Sequence, residues 1–151
     1  MTEEGSVPSS WALKNLNKLL GLFCQTLAVN YGIGHADAIG KSYHSFLTTT
    51  CWSLMTTALL LFCYVFSQKS IGLIRQSLFE TVFNALACFS YLSSCSYLGF
   101  VVNTFLYPLY KLTPFFQVYP AMSAAYILGL IAGGAHGYDA YKSYRFFRGY
   151  R

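Results

Sequence analysis

Glu80, Asn84, Tyr91 and Ser94 recur at helical spacing on one side of an otherwise apolar stretch, with Ala87, Cys88 and Cys95 interleaved among them. A carboxylate in hydrocarbon is costly and by default marks function, because proton relays and ion paths need such groups. Glu80, however, falls in the first turn of its predicted helix. There it is expected to reach cytoplasmic water, favour the positive helix N-terminus, and pair with Arg75 or with a Lys or Arg at the end of the last helix. A relay would want further acids deeper in the bundle, and Asn84 cannot titrate.

The other reactive side chains form no catalytic set. His136 lies near the cytoplasmic end of the last apolar run, where a lone histidine is expected to be hydrogen-bonded rather than to bind metal or carry protons. His35 and His44 lie beside Asp37 in a short outer loop and read as solvated. Serines and threonines are plentiful, but in membrane helices they usually bond their own backbone, so no nucleophile, acid and base combination emerges. Cys24, Cys51, Cys63, Cys88 and Cys95 all fall in apolar runs, show no C-x-x-C spacing, and read as small buried hydrophobes, with Cys63 near enough to a boundary for palmitoylation. The expectation is a protein that is not an enzyme, with no cofactor and no metal.

The elements that must position these residues are membrane helices. Leu19 to Ala36, Ser42 to Gln68, Thr81 to Tyr110 and Leu112 to Tyr138 form runs without Asp or Glu, and only Lys111 separates the last two. Spanning a bilayer takes about 20 mostly apolar residues, and at least three of these runs supply that. With 55% hydrophobic and 10% charged residues in 151, little is left for a soluble domain. The net charge of +5 does not point to nucleic acid, since the basic residues flank apolar runs instead of lining a polar face.

The fold class expected is an all-α membrane protein: a four-transmembrane antiparallel helix bundle with both termini cytoplasmic. It would form one domain over residues 1–151, with spans at about 12–34, 46–67, 78–102 and 121–141 and a basic tail over 142–151. Four spans put Lys14, Lys18, Lys69, Arg75, Lys142, Arg145, Arg148 and Arg151 on one side and leave Lys41 and Lys111 opposite, as the positive-inside rule requires. The first span is the weakest. It contains Gln25 and Asn30 and must borrow Trp11, Leu13 and Leu16, with Lys14 and Lys18 snorkelling to water. Glu3 and Glu4 ahead of a late apolar run argue against a cleaved signal peptide. Tyr107 to Pro120 carries three prolines, which should stop a fifth helix, and its rings suit a lid on the headgroup interface.

Two further patterns concern partners. Ala121, Ala125, Gly129, Gly133 and Gly137 repeat every fourth residue, giving the last span a bare face for close helix packing, within the monomer or between copies. Lys142, Arg145, Arg148 and Arg151 alternate with aromatic residues just beyond the bilayer and should lie against anionic lipid headgroups.

The stretch from Glu80 to Cys95, Glu-Thr-Val-Phe-Asn-Ala-Leu-Ala-Cys-Phe-Ser-Tyr-Leu-Ser-Ser-Cys, resembles the third helix of MARVEL-domain proteins, in the branch of myelin and lymphocyte protein and plasmolipin. The Ala- and Gly-rich last helix with its short basic, aromatic tail is similar too. The resemblance covers about Leu78 to Arg148 and is architectural before that. It implies a tetraspan bundle acting in membrane organisation, vesicle traffic or membrane apposition, at the plasma membrane, at cell contacts or in secretory and endosomal vesicles. Its partners would be anionic lipids, cholesterol, further copies or other membrane proteins, and no nucleic acid. No catalytic residue carries over. The rival expectations are a small channel or transporter, weakened because the sequence offers no evident paired intramembrane charges, and an accessory subunit of a larger complex.

Overall fold

Residues 6–66 and 78–149 are described by the structure, a computed structural model. Helix α1 (Ser6–Leu27) passes through a π-helical turn, Ala28–Gly32, and a 3-10 turn, Ile33–His35. Two helices follow, α2 (Ala36–Ile39) and α3 (Lys41–Phe66), then α4 (Leu78–Val101), a second π-helical turn at Val102–Leu106, α5 (Tyr107–Leu112) and α6 (Val118–Gly149). No strand occurs among the described residues.

Three segments are long and apolar enough to cross a membrane: Lys41–Cys63, Leu78–Leu112 and Val118–Gly149. Helix α1 does not reach that standard. Lys14, Asn15, Asn17 and Lys18 fall within two of its turns, and their polarity outweighs the leucines beyond them. Leu19, Phe23, Leu59, Phe62, Phe89 and Phe100 all point outward. Water-soluble proteins rarely expose that much contiguous apolar surface, whereas lipid solvates it and leaves the helical backbone self-satisfied.

The helices outrun the spans drawn from sequence, and the connections after α1 and α4 are more helical than expected. The π-helical turn at Val102–Leu106 and helix α5 together make Leu78–Leu112 one continuous helical rod of 35 residues, so the prolines do not exclude a helix here. Pro108 stands in the first turn of α5 directly after the π-helical turn, and that wide turn accommodates its ring and its missing N–H within the rod. Pro120 occupies the first turn of α6 in the same way. Only 113–117 lies outside a helix in this region. Gly40, at φ 65°, supplies the left-handed break between α2 and α3.

Helices α4 and α6 form the most extensive contact and run antiparallel. Their glycines show the register: Gly137 faces Cys88, Gly133 faces Tyr91, Gly129 faces Cys95, and Gly99 faces Tyr126. A Cβ at Gly133 would stand 3.0 Å from that of Tyr91, and one at Gly129 would collide with the Cys95 thiol and crowd Phe46. Helix α1 lies across α6 and α3, with Cys24 and Ala28 in a core that also takes Phe46, Cys95, Leu98 and Ala125.

Candidate functional site

Three helices each carry a pair of polar residues one turn apart: Lys14 and Asn17 on α1, Glu80 and Asn84 on α4, His136 and Asp139 on α6. A spacing of three or four residues puts both members on one helix face. All six side chains are buried, none more than 4% exposed, and five of them meet in one cluster at the end of the bundle where α4 begins.

The Lys14 ammonium forms an ion pair with the Glu80 carboxylate and a second with Asp139 Oδ2, at 3.2 Å. Asn84 Nδ2 donates to the same Asp139 oxygen, also at 3.2 Å. That orientation turns Asn84 Oδ1 toward His136 Nδ1, 3.0 Å away. The imidazole therefore carries its proton on Nδ1 and leaves Nε2 to accept from the Ser53 hydroxyl at 3.3 Å. Every donor in this row points toward the carboxylate end. Tyr91 stacks on the His136 ring at 5.8 Å and Phe83 meets it edge-on at 6.0 Å, fixing its plane from two sides.

Among the described residues the cluster brings two carboxylates to one ammonium, all dry. Pairing of this kind adds little net stability, because desolvation offsets the attraction, but removing one member strands the others at about 3–5 kcal/mol. The consequence is specificity of assembly. Lys14 makes burial of α1 depend on α4 and α6 being in place. Glu80 Oε2 and Asn17 Oδ1 are buried without a hydrogen-bond partner among the described residues.

Ser53, His136 and Asn84 follow the order nucleophile, base and orienting group. Ser53 is 1% exposed, however, and an apolar cleft of about 420 Å³ between Leu19, Leu22, Phe23, Thr26 and Leu27 lies along α1 without including it. No group of three or more His, Cys, Asp or Glu is placed to hold a metal among the described residues.

The structure thus relocates several residues singled out from sequence. Glu80 does not face cytoplasmic water but is fully buried, and its partner is Lys14 of the first helix; Arg75 lies outside the described residues. Lys14 does not snorkel: its ammonium turns into the bundle, where it pairs with two carboxylates. Paired charges buried inside the bundle, absent from the sequence reading, are therefore present. Asn84 and Tyr91 join the cluster, while Ser94 bonds the Ser90 carbonyl of its own helix at 2.6 Å.

Ala125, Gly129 and Gly133 are buried, with Ala121 and Gly137 partly so, and the glycines of this stripe meet α4 of the same chain. Lys142 sits over the Tyr138 ring at 5.0 Å, Arg145 and Arg148 are exposed on a helix that continues to Gly149, and Arg151 lies outside the described residues. His44 and Asp37 are exposed, and His35 lies edge-on to Phe116. The cysteines are free: Cys24 and Cys95 buried, Cys51 and Cys88 partly so, Cys63 exposed. Sequence reasoning missed Asp139 and Ser53, and gave Lys14 a place at the surface instead of in this cluster. Its available signal was the three polar pairs, each one turn long, two of them carrying a charge of opposite sign to the third.

A sheath of outward apolar side chains around helices long enough to span a bilayer, with the buried charges of the described residues gathered in one cluster, defines a helical integral membrane protein. Over 148 residues the chain is 49% identical to protein singles bar of Drosophila melanogaster, a match that covers 97% of this chain and 84% of that protein. It belongs to the same family. No family model matches the chain, and no solved structure matches it.

Proposed function

We propose that this chain is a non-enzymatic, MARVEL-like tetraspan protein, with both termini in the cytoplasm, that organises lipid and protein partners during vesicle traffic, membrane apposition or cell contact. The observation that carries this reading is the seating of α1. Three helices satisfy the length and hydropathy of a span unaided, and α1, too polar to do so, is tied to α4 and α6 by Lys14. Burying that charge against two carboxylates supports α1 as a fourth transmembrane helix, since a helix lying on the surface would leave Lys14 in water.

Tags at both ends, probed from each side of the membrane in intact and permeabilised cells, test the count. Both ends should be cytoplasmic and residues 107–117 outside. Termini on opposite faces would mean three spans and overturn the reading.

The buried row Ser53, His136, Asn84, Asp139 gives a specific reason to measure transport as well. Proton or cation flux in reconstituted vesicles that disappears in Asp139→Asn would establish a channel or transporter instead. The organising role predicts no such flux.

A further inference from the structure

At the end of the bundle away from the charge cluster, the hairpin between α4 and α6 continues past the point where the two helices last pair. Tyr119 Oη of α6 donates to Asn103 Oδ1 at 3.2 Å, which sets the two residues level. From Glu80 to Asn103 the rod rises about 35 Å at 1.5 Å per residue, close to the roughly 30 Å of hydrocarbon in a bilayer. Nine more helical residues carry Leu112 about 13 Å further, whereas a headgroup layer is only about 5–7 Å deep. A tilt of about 20° shortens these figures by only about 6%. With Glu80 at the cytoplasmic edge of the hydrocarbon, as the four-span topology has it, the tip stands clear of the membrane that holds the protein.

What it carries there is apolar. Phe115 is 97% exposed and Leu112 82%. Phe115 also has φ 68°, a left-handed conformation that costs a non-glycine residue about 1–2 kcal/mol. A turn needing that angle is easiest with glycine, so a phenylalanine held outward in it is a side chain presented, not one stowed. The helix leading to it carries exposed Tyr107, Tyr110 and Lys111, the lysine 4.9 Å over the Tyr107 ring. From 103 to 120 no acidic residue occurs.

The geometry points to a lipid-binding tip: Leu112 and Phe115 insert into the outer leaflet of an apposed membrane, while Lys111 meets lipid phosphate and the tyrosines sit at headgroup level. Two apolar side chains are too few for a stable protein interface, which buries about 800 Å² per partner. They suit shallow insertion, where tyrosine belongs at the interface and lysine beside anionic groups. The inference rests on the four-span topology, which places this hairpin outside.

The test uses the full chain, reconstituted in vesicles, as the parent and as Phe115→Trp. Protein-free acceptor vesicles of phosphatidylcholine and phosphatidylserine are added, and brominated lipid is placed either in the acceptor or in the host bilayer. The expected result is quenching, beyond that of the parent, by brominated acceptor lipid, and acceptor binding about tenfold or more weaker in Phe115→Ser with Leu112→Ser. Quenching by host lipid alone would show a tip folded onto its own membrane and overturn the proposal. No excess quenching from either side would overturn it too, leaving a protein partner or a solvated loop. Side-selective labelling of residue 115 separates the failures: a cytoplasmic tip sinks the topology and this inference together, an external tip without acceptor quenching only the latter.

Discussion

The two ends of the α4–α6 hairpin solve opposite problems with opposite placements. At one end Lys14, Glu80 and Asp139, the side chains least suited to hydrocarbon, are hidden in the bundle. At the other, Phe115 and Leu112, the side chains least suited to water, are left in the open. Charge is buried where it can be paired by helices from distant parts of the chain. Apolar surface is exposed where no helix remains to cover it. Fold specificity is concentrated at the first end and availability for contact at the second.

If that contrast is real, substitutions at the two ends should separate stability from contact. The largest effect is expected from Lys14→Met, which leaves two buried carboxylates facing each other and should cost about 3–5 kcal/mol, seen as loss of folded protein in mild detergent. Adding Glu80→Gln and Asp139→Asn should restore much of it, and failure to do so would deny the ion cluster its role. Next is Gly129→Leu, which forces a side chain into Cys95 and Phe46 and should cost about 1–3 kcal/mol by overpacking. Gly134→Leu, with nothing within 4 Å of its Cβ, is the control and should change unfolding little.

His136→Leu should follow at about 1–3 kcal/mol, because Ser53 and Asn84 lose a buried partner each. The smallest stability effect belongs to the other end. Phe115→Gly should leave unfolding unchanged or raise stability by under about 1 kcal/mol by relieving the left-handed backbone, yet abolish most acceptor-vesicle binding. A marked destabilisation there would erase the distinction between the two ends.

The helices themselves were legible, because apolar runs of membrane length admit one backbone solution. The polar face of α4 was legible too: Asn84 and Tyr91 follow the 3.6-residue period and do meet in the site. Ser94 obeys the same period but stands too far along the helix to join them, and it turns back to its own backbone. The prolines read as helix breakers from sequence, yet the wide turn at Val102–Leu106 accommodates Pro108 within a continuous rod, and Pro120 stands in the first turn of α6. The small-residue stripe was visible as packing surface, but only the register of α4 and α6 shows that its glycines face Cys88, Tyr91 and Cys95 of the same chain.

Composition and periodicity by themselves determined the solvent this protein lives in and where along the chain its long helices fall, because transfer of each side chain to hydrocarbon is a local quantity. They could not assign Lys14 its carboxylates, 66 and 125 residues away along the chain, nor leave Phe115 without a neighbour. Those outcomes depend on which helix faces which, and at what height. Pairing and exposure are properties of the assembled bundle, fixed only once close approach at the glycines has set the register.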